Sequence, residues 1–318
     1  MLFRSQVSID DEKRFQFQAL QFTPQAPEIE KAEENFVGPI LDKFSLSVTA
    51  LSNYLECPLS FYFKNIVRIP SGKHEAFVFG SAVHFALEQT FRKMLVSKEK
   101  TGKEVFPSRE EALGFFRWYM TKHRENFTSQ AFDRKMEHGE QVIPAYYDTY
   151  VNTWNKVALV ELNISGVVVN GVPIKGKLDK LEFNGKEVNV VDYKTGSPDN
   201  AKLKLEPPSE KNPNGGDYWR QAVFYKLLVD NYKEKGWRAV STEFDFVEPD
   251  KAKKIGKKII PITAADLETV KQQITSVWGK IQARDFYTGC GKETCDWCRF
   301  VKENKIAIAL HDLKEEEA

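Results

Sequence analysis

The sequence predicts a mixed α/β domain, and three observations carry that expectation. The periodicity of apolar residues runs from helix-like to strand-like and back to helix-like along the chain. Asn184-Gly185 stands between two alternating segments, the strongest short-range signal for a β-hairpin. The order lacks a regular βαβ alternation and any Gly-rich phosphate loop, which sets aside a doubly wound nucleotide-binding fold.

Residues 1–43 mix short apolar pieces with Pro24, Pro27, Pro39 and a charged stretch from Glu28 to Glu34. They read as an extension or linker, with the organised domain over 44–318. Ser45, Ser47 and Thr49 then offer caps for a helix containing Leu51, Tyr54 and Leu55. Val83, Leu87, Phe91 and Met94 recur at helical spacing in a second helix starting near Gly80. Two aromatic-rich helices follow, over about 109–125 and 136–156. Strands are expected over 160–169, 172–183 and 186–193. A Pro/Asn/Gly-rich loop separates them from a helix near 218–232, strands at 242–247 and 258–262, and a long helix around 264–283.

The 318 residues allow one or two domains, and 42% hydrophobic with 29% charged residues is ordinary for a globular protein. A net charge of +1 supplies no overall field for a polyanion, so any nucleic-acid role must rest on local patches. The sequence has no apolar run of about 18 residues, the length of a membrane span. Charged residues from Asp10 to Arg14 occupy the place of a signal-peptide core. The expectation is a cytoplasmic protein without a membrane partner.

The hairpin holds the chemistry. A two-residue Asn184-Gly185 turn would set Phe183 opposite Lys186 and Leu181 opposite Val188, making Asp179 and Asp192 diagonal neighbours on one face. Lys194 falls on that face too, among Leu181, Phe183, Val188 and Val190. Two carboxylates on a half-buried surface repel each other and lose hydration; a hard divalent cation such as Mg²⁺ relieves both costs. An Asp–Lys structural pair is the plainer reading, but a third charge on that face exceeds what a salt bridge needs.

The segment Gly176-Lys-Leu-Asp179 followed by Asp192-Tyr-Lys194-Thr-Gly196 resembles the PD-(D/E)XK nuclease superfamily, in particular its RecB-like branch with AddB-type and CRISPR-associated iron–sulfur nucleases. The resemblance covers about 45–300. It implies a restriction-endonuclease-like mixed β-sheet flanked by helices, hydrolysing DNA phosphodiesters with Mg²⁺ or Mn²⁺. Asp179, Asp192 and the backbone carbonyl of Tyr193 would be metal ligands, and Lys194 the catalytic lysine. The second acid is Asp where Glu is also common. His84, in Phe79-Gly80-Ser-Ala-Val-His84, is by itself an ordinary helical histidine; the resemblance makes it a further metal ligand. Glu161, at the start of the strand before the hairpin, resembles an acid beside the metal and otherwise reads as a solvated strand end. Gln221 and Tyr225, four residues apart on one helix, match a Q-x-x-x-Y signature that implies contact with DNA. Lys251, Lys253, Lys254, Lys257 and Lys258 crowd one loop, either solvated or facing a phosphate backbone.

The only four cysteines are Cys57, Cys290, Cys295 and Cys298. Their spacing points to a metal, zinc or iron–sulfur, and does not separate the two. The resemblance favours a structural [4Fe–4S] cluster joining the N- and C-terminal parts, with zinc as the alternative. It also implies exonuclease-type end processing in recombinational repair, beside a helicase subunit or a helicase-like region of a longer chain. The competing expectations are a catalytically inactive DNA-binding module and a CRISPR-adaptation nuclease.

Overall fold

The structure, a computed structural model, describes residues 35–70, 72 and 74–304. The extension expected over 1–43 lies outside the described residues as far as residue 34. Residues 35–41 are helical, with Val37 and Leu41 buried. Two compact units are present. Among the described residues, the larger comprises Ser45–Leu55 and Ile69–Lys280, and the smaller brings together residues 35–44, Glu56–Arg68 and 281–304.

The larger unit is built on a five-stranded sheet. Its strands are β1 (Ala158–Val169), β2 (Val172–Asn184), β3 (Glu187–Lys194), β4 (Arg238–Phe246) and β5 (Gly256–Ile260). They lie in chain order and pair antiparallel, except that β3 and β4 run parallel. A parallel pair needs a crossover, and the helix over Asp217–Asp230 supplies it.

The helices are α1 (Val48–Glu56), α2 (Glu75–Thr101), α3 (Arg109–Lys122), α4 (Ser129–Tyr150), α5 (Asp217–Asp230), α6 (Ala264–Gln282) and α7 (Asp296–Asn304). Their starts follow capping chemistry. The hydroxyls of Ser47, Ser108 and Thr128 accept from the backbone N–H of Ala50, Glu111 and Ala131. Gly102, at φ +70°, closes α2. The expected elements all form, with ends shifted by a few residues; α2 begins at Glu75, five residues ahead of Gly80.

The sheet is covered on both faces, where one half-buried face was expected. Phe79, Val83, Leu87 and Phe91 of α2, Phe116 of α3 and Tyr146 of α4 pack with Val191 and Tyr193 in one core. Helix α5 covers the other side: the Thr242 hydroxyl donates to the Ala222 carbonyl, and the rings of Tyr218 and Phe244 meet at 5.2 Å. A crossover helix buries its side of the sheet, which period-2 patterning alone does not reveal. Lys180 is consequently fully buried, its ammonium 2.9 Å from Glu182 and over the rings of Phe91 and Tyr193.

The hairpin register also differs from expectation. Asn184 pairs with Glu187 and Phe183 with Val188, so the two-residue turn is Gly185-Lys186. Gly185 alone has positive φ, at +64°, the sign pattern of a type II′ turn with glycine first. The register therefore moves by two residues, an even slip that preserves which side each residue faces.

The smaller unit is packed by aromatics. Tyr62 stacks on Phe286 at 5.6 Å, and Phe63 on Trp297 at 4.7 Å. A π-helical stretch, Tyr62–Val67, ends at Arg68 in the left-handed region.

Candidate active site

The β2–β3 ladder runs from Asn184↔Glu187 to Lys180↔Val191 and ends there. Asp179 and Asp192 come next on the two strands, where the backbones part. Asp179 Oδ2 accepts the Tyr193 N–H at 2.9 Å, standing in for the ladder partner that the departing strand withdraws. In a strand, a residue's N–H and C=O share one edge, so the Tyr193 carbonyl lies on the same edge as Asp179. On the other side of β2, Val160 pairs with Lys180 and Leu162 with Leu178, which brackets Glu161 against Asp179. Three acids thus stand in a row across three strands. Glu161 itself has φ +54°, a strained setting for a residue with a side chain.

Around this fork the charged groups form two linked sets. In the first, His84 Nδ1 lies 3.3 Å from Asp179 Oδ2, and donor atoms of His84, Glu161 and Asp179 all fall within 4.8 Å of one another. Gly80 supports this approach, because a Cβ there would sit 3.3 Å from the Thr195 hydroxyl just past β3. In the second set, Lys194 Nζ lies 2.6 Å from Asp192 Oδ2. Gln221 joins the pair: its amide nitrogen donates to Asp192 Oδ1 at 2.9 Å, and its oxygen accepts from Lys194 at 2.7 Å. The same amide nitrogen donates to the Tyr225 hydroxyl, whose own proton goes to the Lys177 carbonyl. Asp192 is not among the donors gathered within 4.8 Å.

The electrostatics follow from this crowding. Burial alone would depress the His84 imidazole, but the charge and hydrogen bond of Asp179, with Asp192 behind, push it up to about 9. Asp179 is buried as well; His84, the Tyr193 N–H and Lys194 nonetheless hold it below the ordinary carboxylate range. Burial raises Asp192 to about 6 against the pull of Lys194, and it raises Glu161 too. The acids draw a proton onto His84, and a divalent cation would compete for that place, since ligation requires neutral imidazole.

Oδ2 of Asp192 is buried and meets the Lys194 ammonium by charge, without a well-directed hydrogen bond. The oxygen-rich donor set of His84, Glu161 and Asp179, with Asp192 beside it, fits a hard divalent ion. Sequence reading missed Lys177, which ion-pairs with Glu161; its position two residues before Asp179 was the available signal. Of the lysine loop, Lys257 is half-buried and turned inward: it pairs with Glu243 at 2.8 Å and Asp245 at 3.2 Å.

In the smaller unit the four cysteines meet. Their sulfurs lie within 4.8 Å of one another, with Cys57 Sγ 3.7 Å and Cys290 Sγ 3.8 Å from Cys298 Sγ. Those separations exclude disulfides, whose sulfurs sit about 2.05 Å apart. Gly289 permits the gathering, because a Cβ there would lie 2.7 Å from Cys298 Sγ. Burial pushes the Cys57 thiol up to about 12, whereas hydrogen bonds from Cys298, Cys290 and Cys57 hold Cys295 low despite burial. Four convergent thiols are a soft donor set suited to zinc or an iron–sulfur cluster.

No helix among the described residues is long and apolar enough to cross a membrane. Among curated proteins none matches this chain. Of solved structures, a "Putative exonuclease" from Eubacterium rectale is similar at 15% identity over 84% of this chain and 91% of that one, with a TM-score of 0.53. That likeness bears on the fold alone. A second structure, SSO0001, aligns at 14% identity over 63% of this chain and 85% of that one, with a TM-score of 0.24, too slight to weigh. A sequence model of the PD-(D/E)XK nuclease superfamily matches residues 45–302, spanning the fork, both charged sets and the four cysteines, and the chain belongs to that superfamily.

Proposed function

We propose that the protein is a divalent-metal-dependent deoxyribonuclease of exonuclease type that processes DNA ends in recombinational repair. The observation that carries the reading is the fork: His84, Glu161 and Asp179 donors within 4.8 Å, beside the Asp192–Lys194 pair at 2.6 Å. His84, Asp179, Asp192 and the Tyr193 carbonyl, with Glu161 added, would hold Mg²⁺ or Mn²⁺. Such an ion, when bound, activates water and offsets charge on a phosphate undergoing in-line attack.

The chain's own groups do the rest. Lys194 presents a cation beside Asp192, placed to orient water and to steady negative charge developing on the phosphate. Gln221 fixes the rotamers of both Asp192 and Lys194. Tyr225, buried and engaged at its hydroxyl, holds Gln221 in turn. Gln221 and Tyr225, the pair that the resemblance assigns to DNA contact, thus serve here through the groups they hold in place. A helicase subunit or a helicase-like region of a longer chain fits an end-processing role, as does a cytoplasmic address.

The four cysteines form a structural metal centre in this reading, a [4Fe–4S] cluster by family resemblance. One observation favours zinc. At Zn–S distances of about 2.3 Å, the edge of a tetrahedron is about 3.8 Å, close to the 3.7 and 3.8 Å from Cys298 Sγ to those of Cys57 and Cys290. A cluster would set its own iron and sulfide atoms between the thiolates and hold them farther apart. Anaerobic purification followed by iron, sulfide and zinc analysis decides: four irons and four sulfides per chain establish the cluster, and one zinc without iron removes it.

The activity test uses end-labelled single- and double-stranded DNA with Mg²⁺ or Mn²⁺. Cleavage should require the added ion and fall to background in Asp179→Ala and Lys194→Ala protein. Equal cleavage by those variants, or none by the wild type beyond binding, would leave a non-catalytic DNA-binding module.

A further inference from the structure

The cavity at the fork, about 520 Å³, is lined by His84, Glu161 and Asp179 and also by aromatic side chains without a catalytic part in the reading above. From α2 it takes Phe77, Gly80, Ser81, His84, Phe85 and Glu88. Their spacing along the helix is that of a single face. The neighbouring face carries the buried Val78, Phe79, Ala82, Val83, Ala86 and Leu87 and belongs to the core. Phe77 therefore lies on the side of α2 turned away from that core, and it is 64% exposed, the most exposed aromatic among the described residues.

Phe85, next to the candidate ligand His84, is backed by more aromatic surface. Its ring stacks on Trp118 at 5.3 Å and 24°, and Tyr119, another lining residue, meets it at 5.2 Å. Trp118 is itself 51% exposed, with Lys122 Nζ 4.8 Å from its ring centroid. A scattered surface phenylalanine needs no explanation. Here, however, an exposed ring and a buttressed ring share one cavity with the acids.

We propose that Phe77 and Phe85 are stacking platforms for unpaired bases beside the phosphate held at the fork, so that the protein takes its substrate as a single strand. This rests on the nuclease reading. The chemistry is complementary: bases offer flat π-faces to the rings, and a cation held by the acids would face the phosphate. Within a duplex the bases pair edge to edge and their faces are covered by the neighbouring stacked pairs, so an internal base pair offers none to Phe77. Seven residues separate Phe77 from His84, about 10 Å along the helix axis, so this platform serves a nucleotide flanking the scissile phosphate.

The test is a cycle between protein and base. Binding of a fluorescent single-stranded oligonucleotide is measured for wild-type, Phe77→Ala and Phe77→Trp protein without added divalent ion. Each is titrated with the intact strand and with strands carrying an abasic position stepped along the sequence. Stacking of this kind predicts that Phe77→Ala weakens binding of the intact strand about 5- to 150-fold. One abasic position should cost the wild type a similar factor and cost Phe77→Ala almost nothing, and Phe77→Trp should restore the affinity. Equal binding by wild-type and Phe77→Ala protein, or losses that simply multiply, would overturn the platform. So would tighter binding of duplex than of single strand by wild-type protein. If the platform fails while Mn²⁺-dependent cleavage persists, the nuclease reading survives. If the platform cycle succeeds but no cleavage occurs, the protein binds strands without cutting them.

Discussion

At the residue scale, the fork shows how much of a site consists of groups that do not touch the reacting atoms. Gln221 binds Asp192 and Lys194 with opposite ends of one amide, so the two charges keep their spacing only while that amide stays in place. Outer partners of this kind typically account for about 10- to 100-fold in activity or metal affinity. Gln221→Leu is therefore expected to lower kcat by about that factor in the metal-dependent DNA assay, with the melting temperature within a few degrees of wild type. Unchanged kcat would mean that Asp192 and Lys194 hold their places without it. Glu243 illustrates a different constraint. Burial raises it to about 7, and the neighbouring Asp245 pushes the same way against Lys257. Tyr150 and Tyr146 face the same group of charges, and the Tyr146 hydroxyl donates to Asp245 at 2.6 Å. A carboxyl with a raised folded pKa contributes most below its unfolded value and loses that contribution as pH rises through the folded one. Melting temperature should thus fall for the wild type between about pH 4.5 and 7, and fall less for Glu243→Gln. Parallel curves for the two proteins would remove Glu243 from the cause.

At the element scale, close approaches of helices are set by glycine in two places. Gly139 lies in the middle of α4, where glycine costs about 1 kcal/mol relative to alanine. It is there because the Phe116 ring of α3 packs onto it: a Cβ would lie 2.0 Å from Phe116 Cζ. Gly139→Ala would have to displace a fully buried ring, an overpacking change that costs about 1–3 kcal/mol. Denaturant unfolding should show that loss, and a stabilised variant would show that α3 and α4 can separate freely. Gly80 does the same for function, letting α2 pass near Thr195 so that His84 reaches Asp179.

At the scale of the whole molecule, the candidate metal donors fall into two types. Hard oxygen and imidazole donors gather in the larger unit and thiols in the smaller. The smaller unit combines three separated stretches of chain, and within it the four thiols link Cys57 to cysteines more than 200 residues away. Metal binding at such a site is folding free energy for the unit that holds it. Cys57→Ser should therefore abolish stoichiometric iron or zinc and make the segment around Cys290–Cys298 the first to be cut by protease. Full metal content in that variant would show that three thiols suffice.

The sequence by itself determined the elements and singled out most of the candidate site residues, because both are written in local patterns. Period-2 and helical spacings located the strands and helices, and Asp179, Asp192 and Lys194 declared themselves as charges in a hairpin. The turn was legible only approximately: glycine fixed its position within a residue, and the register moved by two when Gly185 took the first turn position. What only the tertiary structure decided depends on contacts between distant segments. The burial of Lys180, the withdrawal of Lys257 into an acid pair and the row formed by Glu161 with Asp179 and Asp192 need helices and strands from other parts of the chain. The fork itself belongs to this class, since β2 and β3 part only because β3 continues along β4 while Asp179 takes up the freed Tyr193 N–H. Local pattern encodes which way a side chain can point, but desolvation and charge partners come from whatever packs against it.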